Sequence, residues 1–121
     1  MASTSFTGGP WSLTNEGIDR AVTETSPGAY ALGRTGDSGT FLIGYVGRAD
    51  DDLNGRLKRH VGNYNQFKAA YYPSAKDAFE KECQLYHDFG GAEGKLDNEI
   101  HPAKPQGMNH KCPVCGGLVQ R

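Results

Sequence analysis

The chain has 121 residues, 36% of them hydrophobic and 22% charged, which suits one domain with a modest core and leaves no room for two. No apolar run approaches the roughly 20 residues needed to span a bilayer, so no membrane association is expected. A net charge of −1 excludes a uniformly basic nucleic-acid binder, yet residues 1 to 55 hold three Arg/Lys against seven Asp/Glu while residues 56 to 121 hold ten against seven, which predicts a basic patch beginning at Arg56.

In chain order, residues 1 to 10 are small and polar and read as a loose arm, with Trp11 anchoring its end. They carry neither a charged n-region nor an apolar h-region, so no secretory leader is expected and a cytoplasmic location follows. Leu13, Ile18 and Val22 recur near helical spacing and predict a short helix within Ser12 to Glu24, capped by Ser12 or Thr14. Ser26-Pro27-Gly28 breaks it. Residues 1 to 27 are therefore read as arm and short helix.

Ala29 to Leu32 and Phe41 to Val46 then read as two strands joined by a loop rich in Gly, Thr, Asp and Ser. Asp50, Asp51 and Asp52 suit a helix N-terminus. Leu53, Leu57 and Val61 form one apolar face of that helix, which places Arg56 and His60, four residues apart, together on another. Asn63 to Gln66 reads as a loop, and Phe67 to Tyr72 as a third strand ended by Pro73. Ser74 caps a second long helix reaching about Phe89, closed by Gly90-Gly91. The tail from residue 99 to 121 has no convincing periodicity.

The three cysteines argue for thiols kept reduced or bound to metal rather than for a disulfide framework. Cys112-Pro-Val-Cys115 supplies two ligands of a zinc knuckle, and a structural site needs four. Cys83 and His87 stand four apart on one face of the long helix and complete a Cys83, His87, Cys112, Cys115 set, with His101 and His110 as alternative histidines. Such a zinc would be structural, since four protein ligands leave no open position, and it would pin the proline-containing tail to the helix.

Gly28-Ala29-Tyr30, Tyr45-Val46-Gly47, the helix from Arg56 to His60, Asp77-Ala78 followed by Glu82, and Asn98 together resemble the GIY-YIG nuclease family over residues 28 to 98. The resemblance implies an α+β fold with a small three-stranded antiparallel sheet flanked by helices. It also implies an endonuclease that hydrolyses DNA phosphodiesters by direct water attack with one divalent metal ion. By matching position, Tyr30 and Tyr45 would be the active-site tyrosines, one of which deprotonates or positions the water. Arg56 would neutralise the scissile phosphate, a task suited to its planar fork of donors. His60 would assist proton transfer or orient a tyrosine, and Asn98 would brace the site.

Glu82 would hold the metal, with Glu80 as its competitor; the two differ by about 200° in helical phase, so only one can face the hairpin. A single hard carboxylate with most positions left to water suits Mg2+ or Mn2+. This chain departs from the family pattern in three places. Residues 31 to 44 make a longer spacing between the two tripeptides, Ala29 replaces Ile or Val, and Arg48 stands where a small residue or lysine is common. Arg48 is either an added phosphate contact or an obstruction. A domain this small is expected to need a homodimer or a partner protein for DNA specificity. The competing expectations are a GIY-YIG-like module, stabilised by zinc, that binds nucleic acid or protein but cuts poorly or not at all, and a zinc-stabilised interaction domain whose tyrosines are only structural.

Overall fold

The computed structural model describes residues 6, 8–91 and 96–98. It is an α+β fold built on a four-stranded antiparallel sheet with three helices: β1 (Trp11–Ser12), α1 (Asn15–Ala21), β2 (Gly28–Thr35), β3 (Phe41–Ala49), α2 (Leu53–Lys58), β4 (Gln66–Tyr71) and α3 (Ala75–Asp88). The strand order is β1-β4-β2-β3. The expected sheet had three strands. The fourth is the two-residue β1, too short to show any alternation, and it is held by pairing of Trp11 with Phe67, whose rings lie 5.5 Å apart.

Central strand β2 is covered on both faces, and its alternation sorts the core. Ala29 and Ala31 point toward α3, where they pack with Val46, Leu85 and Tyr86. Their small side chains let the helix lie close to the sheet. Tyr30 and Leu32 point the other way, into a cluster with Leu13, Ile18, Val22, Leu53, Leu57 and Phe67. That second cluster is where α1 and α2 dock. Asn54 ties the two helices by donating to Asp19 Oδ1 and to the Val22 carbonyl, both at 3.0 Å, and Lys58 reaches Asp19 at 2.7 Å.

The long spacing between the two tripeptides is taken up by strand rather than by loop. β2 runs to Thr35 and β3 starts at Phe41, so the connection is only residues 36–40, closed by Gly36 N–H donating to the Thr40 carbonyl at 2.8 Å. The surplus residue forms a bulge: Leu32 faces Tyr45 but Gly33 faces Ile43, which leaves Gly44 unpaired in the register. Tyr30 faces Gly47 and Leu32 faces Tyr45, so the two tyrosines are diagonal neighbours on one face.

Helix ends follow their caps. Thr14, Asp52 and Ser74 each accept a backbone N–H from three residues on, starting α1, α2 and α3. Helix α2 stops at Lys58, earlier than its apolar spacing predicts. Val61, expected on its buried face, is 37% exposed, and His60 sits in the turn that follows, its N–H donating to the Leu57 carbonyl at 3.0 Å. Phe6, within the stretch expected to be a loose arm, is buried against the α3 side of the sheet. Leu96 is buried there too, and Asp97 N–H donates to the Gly44 carbonyl at 2.6 Å, which covers part of the exposed edge of β3.

Phe67 is fully buried where β1, β2 and β4 meet. Phe67→Ala is expected to cost about 3–5 kcal/mol of stability. Urea unfolding followed by the fluorescence of Trp11, the only tryptophan, reports it directly. A loss below about 1 kcal/mol would mean that β1 is not seated on Phe67.

Candidate active site

Four elements meet at one small cleft of about 140 Å3, lined by Tyr30, Tyr45, Gly47, Arg48, Asp50, Arg56 and Glu82. Tyr30 comes from the central strand and is almost completely buried. It fits because the residue directly opposite is Gly47: a Cβ there would collide with the phenol ring and its oxygen. The ring passes over bare backbone, and its Oη meets His60 Nε2 at 2.9 Å. Tyr45 packs against the same imidazole, ring centres 5.2 Å apart. One histidine therefore contacts both tyrosines, although the helix expected to carry it ends two residues earlier.

Burial pushes the Tyr30 phenol well above its ordinary range, and the nearby Tyr45 and Glu82 push it further. Tyr45 is raised as well, by burial and then by Glu82, against the pull of Arg56. His60 is lowered by burial and by the positive charges of Arg56 and Arg59. At neutral pH the group is two protonated phenols around an uncharged imidazole, which can accept a proton.

Glu82 approaches from α3, on the opposite side of the sheet edge. It is the only buried charged residue among those described. Glu80, two positions away, points elsewhere and faces Lys76 at 3.9 Å. Glu82 is not alone: Arg48 Nη1 donates to its Oε1 at 2.8 Å, while Arg48 Nε donates to Asp50 Oδ1 at 2.7 Å. The guanidinium also lies over the Phe79 ring, 5.4 Å from its centre. Burial works against the charged Arg48, and its bonds to Asp50 and Glu82 overcome that and raise its pKa. Burial dominates at Glu82 and pushes the carboxyl up to about 7 despite the arginine beside it.

Arg56 stands exposed at the rim and makes no ion pair among the described residues. Asn98 lies behind the cleft rather than in it. Its side chain pairs with the backbone of Val46 like one more strand residue, accepting from the N–H at 2.9 Å and donating to the carbonyl at 2.7 Å. Val46 lies between Tyr45 and Gly47, so this brace fixes the segment both tyrosines depend on. Cys83 is buried beside Phe79 on α3, and His87 follows one turn later. Cys112, Cys115, His101 and His110 lie outside the described residues.

The contacts of two cleft residues differ from what their sequence positions suggest. Asp50 reads in the sequence as a helix-start acid and Arg48 as an added phosphate contact or an obstruction, whereas in the structure they pair with each other and Arg48 also binds Glu82. The signal for Arg48 is strand parity: residues 46 and 48 share a face, and Val46 packs toward α3, so Arg48 must point toward Glu82. Among the described residues, no group of three or more His, Cys, Asp or Glu comes together to hold a metal. Glu82 and Asp50 nevertheless put two hard carboxylates on one cleft. That donor set fits Mg2+ or Mn2+, which keep several waters and use one or two carboxylates. No helix among the described residues is long and apolar enough to cross a membrane.

No protein-family model matches the chain, and no curated protein or solved structure matches it significantly.

A carboxyl raised in the folded state holds its proton more tightly there than in the unfolded chain, so Glu82 contributes stability at low pH that is lost as pH rises through about 7. Wild type should therefore lose stability relative to Glu82→Gln between about pH 4.5 and 7, the ordinary and the raised value. Urea unfolding of both proteins across that window measures the difference. A constant difference would mean that the Arg48 bond, not burial, sets the charge of Glu82.

Proposed function

We propose that the chain is a GIY-YIG-type endonuclease that hydrolyses DNA phosphodiesters by direct attack of water. The observation that carries this reading is the cleft itself. Two tyrosines on one sheet face, an exposed arginine and a buried glutamate converge on a space the size of a phosphate group and its water, and a neutral histidine touches both tyrosines.

In this mechanism Arg56, a rim cation with no ion pair among the described residues, takes two oxygens of the scissile phosphate and offsets the charge that builds on them. Water is held at the mouth of the cleft by the Tyr45 and Tyr30 hydroxyls. As the water oxygen attacks phosphorus, its proton passes to Tyr30 Oη, and the proton already there passes to His60 Nε2, 2.9 Å away, which becomes imidazolium. The P–O bond to the leaving strand breaks and that oxygen takes a proton from solvent. Tyr30 begins and ends neutral, which suits a phenol whose ionisation burial disfavours. Glu82, with Asp50 beside it, would hold the divalent ion, which when bound supplies positive charge to the phosphate and leaving oxygens. Arg48 keeps Glu82 in place and shares the charge of the pocket.

A second reading, a GIY-YIG-like module that binds nucleic acid or protein without cutting, is favoured by one observation: Arg48 already occupies an oxygen of Glu82. The same assay separates the two. Supercoiled plasmid with Mg2+ or Mn2+ should be nicked or linearised. Tyr30→Phe, Arg56→Ala and Glu82→Gln should each lower the rate by about 100-fold or more while the proteins stay folded. Folded, metal-supplied wild type that leaves supercoiled, single-stranded and branched DNA intact would retire the nuclease reading.

The structural zinc is proposed on the same footing, with Cys83 and His87 one turn apart on α3 and Cys112 and Cys115 in the tail. Elemental analysis should find about one zinc per chain, and Cys112→Ser should release it. Full zinc retention in that variant would refute the ligand set.

A further inference from the structure

A second cleft, of about 360 Å3, opens on the other side of Tyr45 and has no part in the mechanism above. Its wall is Tyr64, whose ring lies 6.3 Å from that of Tyr45, so the two clefts share an aromatic partition. Tyr64 is tethered at its hydroxyl. Its hydroxyl donates to Asp97 Oδ2 at 2.5 Å, and Asp97 is anchored through its own N–H to the Gly44 carbonyl. Gly44 is the bulge residue, and a Cβ there would lie 3.1 Å from the Tyr64 ring and 3.3 Å from the Asp97 carboxylate. The bulge and the missing side chain let the ring come close to the edge strand.

The rest of the lining combines the apolar side chains of Leu42 and Ile43 with the polar ones of Arg34, Asn63 and Asn65. Asn63 and Asn65 flank Tyr64, both exposed, and among the described residues neither side-chain amide has a hydrogen-bond partner. Arg34 is exposed at the mouth and makes no ion pair among the described residues. It lies on the same face of β2 as Tyr30, four residues along and hence roughly 13 Å away at the rise of a strand.

A fixed aromatic face, two free amides and an outlying guanidinium match an unpaired nucleobase and its phosphate. The ring stacks, and the amides pair with donor and acceptor atoms on the base edge. A base-paired nucleotide cannot use such a site, because its faces are stacked and its pairing edge is occupied. We propose that this second cleft takes an unpaired nucleobase of DNA next to the cleaved phosphate, stacked on Tyr64 and contacted at its edge by Asn63 and Asn65, with Arg34 on a neighbouring phosphate. The placement next to the cleaved bond rests on the nuclease reading; the base-binding site does not. Its consequence is a preference for single-stranded or locally unpaired DNA over regular duplex.

The test uses the full chain carrying Glu82→Gln, in EDTA so that nothing is cut, and fluorescence anisotropy with three probes. These are a labelled single-stranded oligodeoxynucleotide, the same backbone made abasic throughout, and the blunt duplex. The intact single strand should bind about tenfold or more tightly than the abasic strand, and more tightly than the duplex. Adding Tyr64→Ala should remove that advantage, whereas Tyr64→Phe, which keeps the ring, should retain most of it. Asn63→Ala, at an exposed position that does not touch the core, should weaken binding of the intact strand and not of the abasic one. Equal binding of intact and abasic strands overturns the proposal, as does an unchanged advantage in both Tyr64→Ala and Asn63→Ala. The plasmid assay is independent of this result: base-dependent binding without cleavage would remove the nuclease reading and leave the second cleft, and cleavage without base dependence would do the reverse.

Discussion

Tyr30 is a large, buried side chain on the central strand, and the residue facing it across the hairpin has no side chain at all. Most of the candidate site depends on that pairing. With Gly47 opposite, the phenol crosses the strand backbone and reaches His60 beyond the end of α2; with any other residue the ring would have to leave this path, and the hydrogen bond with it. The same ring is part of the core beneath α1 and α2. Fold and site are thus stabilised by one side chain, so substitutions at Gly47 disturb both together.

Charge is arranged differently on the two sides of the sheet edge. On the tyrosine side, burial keeps the phenols protonated against the pull of the arginines, while burial together with Arg56 and Arg59 keeps the imidazole neutral. On the α3 side, the effect of burial on Glu82 is only partly countered by Arg48, which is itself shared with Asp50 and stacked on Phe79. Removing one partner of such a pair leaves the other buried and uncompensated, a much larger cost than an exposed ion pair would represent. Burial still dominates, so the Glu82 carboxyl is pushed up to about 7 even with Arg48 beside it.

Much of the scaffold is legible in order: the caps Thr14, Asp52 and Ser74, the hairpin with its Gly-rich connection, and the long helix ending before Gly90. The misses have physical causes. β1 is a strand only because Trp11 packs on Phe67, a contact between residues far apart in sequence. Val61 fits the apolar spacing of α2, but the helix stops at Lys58 and leaves it outside. The bulge at Gly44 is invisible to a pattern of period two, since it appears only when the two strands are set in register.

The sequence by itself determined which residue types stand at Tyr30, Tyr45, Arg56, His60, Glu82 and Asn98, and that the two tyrosines lie on a hairpin, Arg56 on a short helix and Glu82 on a long one, because local periodicity and turn chemistry fix those elements. Only the tertiary structure decided that Tyr30 bonds His60, that Glu82 rather than Glu80 reaches the cleft, that Arg48 and Asp50 join it, and that Asn98 holds the backbone of Val46. These contacts link residues from separate elements, and their energies come from burial and close approach, which no single stretch of chain contains.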